Sequence, residues 1–416
     1  MKKGSARVFT MIWAAVMIAV LSSTATLLIT SRVGGREDAT HWVSGDEYDT
    51  IQRYSRLESI RQTLMNDYYQ ELDDSSLMLG AIRGMTGSIG DPYTFYYTPE
   101  EMTAANEDTE GLYHGIGVLV QGNDEGFIQV LRVYPGTPAE QAGMQVGDLV
   151  VAVEGVPISS DDGRTYNEAV KLIRGEDGTP VSLTVLRGDQ MIEMELSRAT
   201  VNISYAEYRM LDDGIGYVSI SQFTGDAAER FKEALEYFRA RNAAGIVIDV
   251  RNNPGGLLDQ VVSIADSLLP SGVILYVKER DGTRMDYYSD EQMVDLPVAV
   301  LVNQMSASAS EILAASVQAF GRGTVVGVTT YGKGIVQTLI NYDEDGAGLQ
   351  LTTSSYYDAL DRSIHGVGVK PDVEVALEID RIPLEPDPIS DNQLAAALEA
   401  VKAQIAEREA AAETAG

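Results

Sequence analysis

The chain has no cysteine and only three histidines, His41, His114 and His365, in 416 residues. The first absence excludes thiol nucleophiles, disulfides and thiolate zinc sites. The second leaves little material for a Ser-His-Asp triad, and none of the three is well placed for one. His41 follows an apolar N-terminal stretch, His114 precedes a Gly-Ile-Gly loop, and His365 stands in a Gly-rich turn before Pro371. Basic residues are scarce as well: 31 Lys and Arg face 62 Asp and Glu, a formal charge of -31. That balance excludes nucleic acid as the expected partner, because phosphate binding needs a cationic surface. A soluble, self-repelling surface accounts for the acidity, and no motif calls for a metal or a cofactor.

What the chain does offer is Ser306-Ala307-Ser308-Ala309-Ser310-Glu311, followed downstream by Gly332-Lys333-Gly334 and Gln337. With histidine and cysteine set aside, lysine remains as a base for serine, provided burial lowers its pKa. Ser308 to Glu311 reads first as a capping box, in which Ser308 accepts from the Glu311 amide and Glu311 reaches back. A nucleophile at a helix N-terminus needs the same position, beside backbone amides and the positive end of the dipole. Lys333 between two glycines also reads as a solvated turn. Its flank is strand-like, however, so Lys333, Ile335 and Gln337 are expected to face one side, where Gln337 accepts from the lysine amine. Gly327 to Lys333 resembles a P-loop, but Gly334 stands where a hydroxyl must bind magnesium and no helix is expected to follow.

Two further loops carry chemistry. Asp249-Val250-Arg251-Asn252-Asn253-Pro254-Gly255-Gly256 lies between a buried strand and the helical pattern Leu257, Val261, Ile264, Leu268. It reads as a tight turn, or as a loop whose glycine amides receive an oxyanion together with the Ala309 amide, braced by Asp249 and Arg251. Gly115-Ile116-Gly117-Val118 reads as a glycine-kinked strand, or as exposed amides that take a peptide's terminal carboxylate while the peptide adds as a strand.

The organisation follows from composition and period. Residues 1–7 form a basic tail with Lys2, Lys3 and Arg7. Residues 8–30 are uncharged and long enough to span a bilayer, which leaves the rest of the chain outside; the absence of cysteine fits that setting. The competing reading is a cleaved signal peptide, with a shorter apolar region. A linker occupies 31–46. From 47 to 106, Ile51, Tyr54, Leu57, Ile60, Leu64, Leu77, Ile82 and Met85 recur at helical steps and predict packing or dimerisation helices. A β-rich module fills 107–200, with strands at Ile128–Leu131, Leu149–Val153 and Val181–Val185, a short helix after Thr137 and a second helix over Asn167–Arg174. An α/β core fills 201–380, with continuous apolar strands at Gly245–Val250 and Val298–Val302. An Ala/Glu-rich helix closes the chain in 381–416.

Taken together, these motifs resemble those of the C-terminal processing peptidases, which carry a PDZ domain within a Ser-Lys protease. The resemblance runs from about Glu47 to Leu398. It includes Gly90-Asp91-Pro92-Tyr93-Thr94, Gly115-Ile116-Gly117, Pro135-Gly136-Thr137-Pro138-Ala139, the Asp249–Gly256 loop, Ser306–Glu311, Tyr331–Gln337 and Gly366–Asp372. It implies a multidomain α+β protein with a transmembrane helix, a helical N-terminal region, a PDZ domain before a crotonase-like α/β protease core, and a C-terminal helix. It further implies Ser308 as nucleophile, Lys333 as general base and Gln337 as the residue orienting the lysine. Gly255, Gly256 and Ala309 would line the oxyanion hole. Gly115, Ile116, Gly117 and Val118 would hold the tail carboxylate of a protein substrate, and Arg174 would relay gating. Met305 departs from the small residue usual before Ser306. The implied setting is the bacterial cell membrane, single-pass, with the catalytic part outside and assembly as a homodimer through terminal helices. A non-catalytic PDZ scaffold is the alternative, which the joint presence of Ser308, Lys333 and Gln337 argues against.

Overall fold

A computed structural model of the protein describes residues 44–110, 112–123, 126–158, 165–202, 204–342, 345–379, 382–383 and 385–415. The basic tail 1–7, the expected membrane anchor 8–30 and nearly all of the linker 31–46 lie outside the described residues. Among the described residues no helix is long and apolar enough to cross a membrane.

The chain divides into two units, Met1–Ala81 and Ile82–Gly416. In the first, helix α1 spans Gly45–Asp67. Its apolar stripe follows the predicted period, yet Tyr48, Ile51, Tyr54, Leu57, Ile60 and Leu64 are all exposed. Arg61 fastens this helix by bonding Glu58 one turn away at 2.8 Å and Asp74 at 2.5 Å. Helix α2 spans Asp74–Gly87.

Strand β1 (Phe95–Tyr97) and helix α3 (Pro99–Glu110) lead to the β-rich module. It contains β2 (Leu112–Gly115), β3 (Val118–Gly122), β4 (Ile128–Val133), α4 (Pro138–Gln141), β5 (Leu149–Val153) and β6 (Val156–Pro157). It continues with α5 (Tyr166–Ile173), β7 (Pro180–Arg187), β8 (Gln190–Ser197) and β9 (Ala199–Asn202). One antiparallel sheet runs in the order β3-β4-β5-β7-β8. Alternate residues of β7, Val181, Leu183 and Val185, enter the same core as Ile128, Val130 and Ala169. Both helices start as their sequences dictate: Thr137 caps α4 with Pro138 in its first turn, and Thr165 with Glu168 forms a capping box on α5.

The remaining elements are β10 (Ala206–Met210), β11 (Gly216–Ile220), α6 (Ala227–Ala240), β12 (Ile246–Asp249), α7 (Leu258–Asp266), β13 (Gly272–Glu279) and β14 (Arg284–Ser289). They are followed by β15 (Val298–Val302), α8 (Ala309–Ala319), β16 (Thr324–Gly327), β17 (Ile335–Asn341), β18 (Gly348–Asp358), β19 (Val373–Glu374) and α9 (Asn392–Ala415). The main sheet has the order β10-β11-β12-β15-β16-β19, parallel except for β10. Val218, Ile248, Val300 and Val302 pack with Phe231, Phe238, Val261 and Leu313 from α6, α7 and α8. Tyr217, Val247, Leu301 and Val326 pack with Leu394, Leu398 and Val401 of α9. Both faces are therefore covered, which is why β12 and β15 are unbroken apolar runs. The second sheet is built on β18, which pairs with β17, β13 and β1. Loops leaving the carboxyl ends of β12 and β15, where α/β sheets place their ligands, meet the loop before β17.

Candidate active site

The three serines of the loop after β15 have different fates. Ser306 and Ser310 are fully buried, and their hydroxyls donate to the carbonyls of Val250 at 2.7 Å and Asn253 at 2.9 Å. Ser308 is half-buried, its hydroxyl makes no cap hydrogen bond, and its backbone sits at φ 54°, ψ −112°. This lies outside the regions that L residues favour. Such strain, held in place by its surroundings, is how a strand-to-helix turn exposes a nucleophile. Of the expected capping box the return half is present, with Glu311 Oε2 accepting from the Ser308 amide at 2.8 Å. The Glu311 amide also donates to the Ser308 carbonyl at 2.9 Å.

The glycine loop after β12 approaches this serine closely. A Cβ on Gly255 would lie 2.8 Å from both Ser308 Cβ and the Ala307 carbonyl, and φ there is +107°. Only glycine satisfies both conditions. The amide of Gly255, expected as an oxyanion donor, donates to Asn253 Oδ1 at 2.8 Å in this structure. Phe223 pairs with the loop as a parallel bridge, taking the Gly255 carbonyl at 2.8 Å and the Leu257 amide at 2.7 Å. Among the described residues the amides of Gly256 and Ala309 donate no hydrogen bond. Asp249 and Arg251 brace the loop as expected: Arg251 bonds Asp249 at 2.6 Å and Asp391 at 2.8 Å, and Tyr217 donates to Asp249 at 2.8 Å.

Glu311, fully buried, ties the serine loop to the lysine loop. One carboxylate oxygen accepts from the Thr330 hydroxyl at 2.5 Å and the Gly332 amide at 2.7 Å; the other accepts from the amides of Ser308 and Lys333, both at 2.8 Å. On the carbonyl side the buried Tyr356 hydroxyl contacts the oxygens of Ser308 at 3.1 Å and Lys333 at 2.5 Å. Burial, followed by the nearby Glu311, pushes the Tyr356 phenol well above its ordinary range, so it stays a donor.

Lys333 is half-buried, and desolvation pulls its amine below the usual lysine range against the charges of Asp91 and Glu311. Its Nζ lies over the ring of Tyr93, 4.4 Å from the centroid. Among the described residues no hydrogen bond joins Nζ to the Ser308 hydroxyl or to Gln337. The expected acceptance by Gln337 is thus not made here; its Nε2 donates to the Thr352 hydroxyl at 3.2 Å. Lys333 precedes β17 instead of belonging to it, and the β17–β18 register shifts between Val336 and Gln337. The strand alternation expected from Lys333 to Gln337 therefore begins only at Ile335, and the extra residue of the register shift, Thr353, lies on β18. Tyr93, Asp91 and Tyr356 carry no chemical part legible in the sequence beyond the Asp91-Pro92-Tyr93-Thr94 motif, which contains the first two.

Gly115, Ile116, Gly117 and Val118 line a cavity of about 560 Å³ together with Arg174 and the core residues Ser219, Ser221 and Gln222. Among the described residues the amides of Ile116 and Gly117 donate no hydrogen bond, the arrangement that a terminal carboxylate needs. Arg174 ends α5 on the cavity wall. Arg132 on β4 pairs with Glu207 on β10 at the same cavity. Gln222 directly precedes Phe223, whose backbone holds the Gly255–Leu257 turn, so the cavity borders that turn.

The profile of peptidase family S41 matches residues 214–375, a PDZ domain profile matches 129–187, and the profile described as the activating protease CtpB N-terminal domain matches 22–101. The carboxy-terminal processing protease CtpA of Bacillus subtilis is 34% identical over 364 residues, covering 86% of this chain and 75% of that protein. The carboxy-terminal-processing protease of Bartonella bacilliformis is 35% identical over 341 residues, covering 80% and 77%. The crystal structure of a candidate S41 protease from Bacteroides fragilis superposes with a TM-score of 0.51 at 17% identity, over 77% of this chain and 90% of that one, a likeness of fold.

Proposed function

The chain belongs to peptidase family S41, with the carboxy-terminal processing proteases, and on that premise we propose that it is a membrane-anchored endopeptidase working through a Ser308–Lys333 dyad. The observation that carries the reading is Glu311, which holds the backbones of both residues on one oxygen. In this reading the neutral Lys333 amine takes the Ser308 hydroxyl proton as the oxygen attacks the scissile carbonyl. The amides of Gly256 and Ala309 receive the oxyanion. The lysine ammonium then protonates the leaving amine, giving an acyl-enzyme on Ser308, and the same amine activates the water that hydrolyses it. Gln337 orients the lysine: with Nε2 given to Thr352, its Oε1 remains to accept from the amine.

The PDZ domain takes the C-terminal tail of a protein substrate at Gly115–Val118, and Arg174 on the cavity wall relays its arrival. Residues 8–30 anchor the protein in the bacterial membrane with the catalytic part outside. The exposed apolar stripe of α1 supports a homodimer. Ser308→Ala and Lys333→Ala are each expected to abolish cleavage of a substrate with an exposed C-terminal tail while leaving the fold intact. Full activity in either variant overturns the dyad.

A further inference from the structure

The dyad leaves Asp91-Pro92-Tyr93-Thr94 without a part, although the structure lays this segment on the catalytic lysine. It is built to be stiff. Asp91 accepts from the Tyr93 amide at 3.0 Å and the Thr94 hydroxyl at 2.7 Å. The Tyr93 carbonyl accepts from Gln350 at 3.1 Å, and Thr94 accepts from the Thr352 amide at 3.1 Å. Residues Phe95–Tyr97 then pair with Gly348–Gln350 of β18. Tyr93 is thereby fixed to the strand whose Thr352 also holds Gln337. Its hydroxyl donates to that of Tyr331 at 3.3 Å, two residues before Lys333.

We propose that Tyr93 is a positioning residue for the base: its ring seats the Lys333 amine as an ammonium, away from Ser308, and the amine leaves that seat to act. The inference rests on the Ser308–Lys333 reading. An aromatic face attracts a cation through its quadrupole and has no such attraction for a neutral amine. The seat at 4.4 Å therefore favours the protonated form, whereas general-base work needs the neutral one. The groups facing Lys333 come from every neighbouring element: Asp91 and Tyr93 from the N-terminal segment, Glu311 from α8, Tyr331 from its own loop and Tyr356 from β18. His365 adjoins the loop at Gly334. Asp91 and Glu311 support the ammonium, and burial opposes it. The Tyr93 phenol, through its bond with Tyr331 and then burial, is pushed up to about 12, so the ring is neutral when the lysine titrates.

The test is a pH titration of Lys333 Nζ by NMR in full-length protein labelled with 15N-lysine, with the resonance assigned by Lys333→Arg. Tyr93→Phe, which keeps the ring, should hold the wild-type midpoint, and Tyr93→Leu should lower it by roughly half a unit to one unit. Fluorinated phenylalanines at position 93 keep the shape while weakening the quadrupole, and should lower the midpoint stepwise even if the Leu variant does not fold. The acid limb of kcat/KM should move to lower pH with the midpoint. Unchanged midpoints across the fluorinated series overturn the proposal. So does an equal fall in Phe and Leu, which would assign the effect to the Tyr93–Tyr331 hydroxyl pair. The titration reads the amine without turnover, so activity surviving in Ser308→Ala would sink the dyad separately.

Discussion

Ser308 and Lys333 donate their backbone amides to a single oxygen, Glu311 Oε2, each at 2.8 Å. Their carbonyls meet again at the Tyr356 hydroxyl. The main-chain frame of the site is thus set by two buried side chains, and the lysine side chain is what remains to move. Catalysis by such a frame is largely a matter of orientation, since small displacements of reacting groups are costly.

Glu311→Gln is expected to break that frame at constant volume. An amide nitrogen would face N–H or O–H donors now received by a carboxylate oxygen. The turnover number should fall roughly 100-fold, the scale of a displacement near 1 Å, with KM little changed. The fold should lose about 1 to 3 kcal/mol, the usual cost of buried donors left unmade. Steady-state kinetics with a tailed substrate and urea unfolding read the two effects, and a wild-type turnover number would show that the clamp does not set the geometry.

Local signals in the chain resolved local structure well. Val298–Val302 and Leu149–Val153 are strands over the same residues that their apolar runs predict, and Thr137-Pro138 starts a helix as its capping chemistry requires. What the sequence hid is non-local. Glu311 reads as a helix cap because its capping partner is nearby, whereas its contacts with Thr330, Gly332 and Lys333 exist only once two loops meet. Tyr93 reaches Lys333 because β1 pairs with β18, a pairing that three strand residues cannot announce. Gln337 donates to Thr352 on the neighbouring β18, a partner that strand period alone does not name. The Ala/Glu-rich composition of α9 names no partner, and only the fold shows Leu394, Leu398 and Val401 covering one face of the main sheet.

Lys333 gives stability a pH dependence of defined sign. Burial, opposed by Asp91 and Glu311, depresses its folded pKa below the unfolded value. Between those two values the unfolded chain binds more protons, so stability rises with pH across that window and is constant below it. Lys333→Met removes this contribution, and the variant should match or exceed wild-type stability at neutral pH, with the difference shrinking as pH rises through the window. Denaturation at several pH values checks it. A difference that widens with pH would mean that the folded state raises the lysine pKa.

The Gly255–Gly256 loop is tied to the C-terminal helix α9. Arg251, buried in the loop that leads to Gly255 and Gly256, is held by Asp249 and by Asp391, and Asp391 also accepts from the Leu394 amide at 3.0 Å to start α9. Asp391→Ala removes one partner of a buried charge group and should cost about 3 to 5 kcal/mol, because Arg251 keeps its charge without full compensation. Asp391→Asn retains an oxygen to cap α9 and bond Arg251, so it should cost less. If α9 also positions the oxyanion donors, the turnover number of the Asn variant should fall while KM holds, since only transition-state contacts are lost. Chemical unfolding and kinetics on the same preparations separate the two roles. A destabilised Asn variant with full turnover would confine Asp391 to holding the helix.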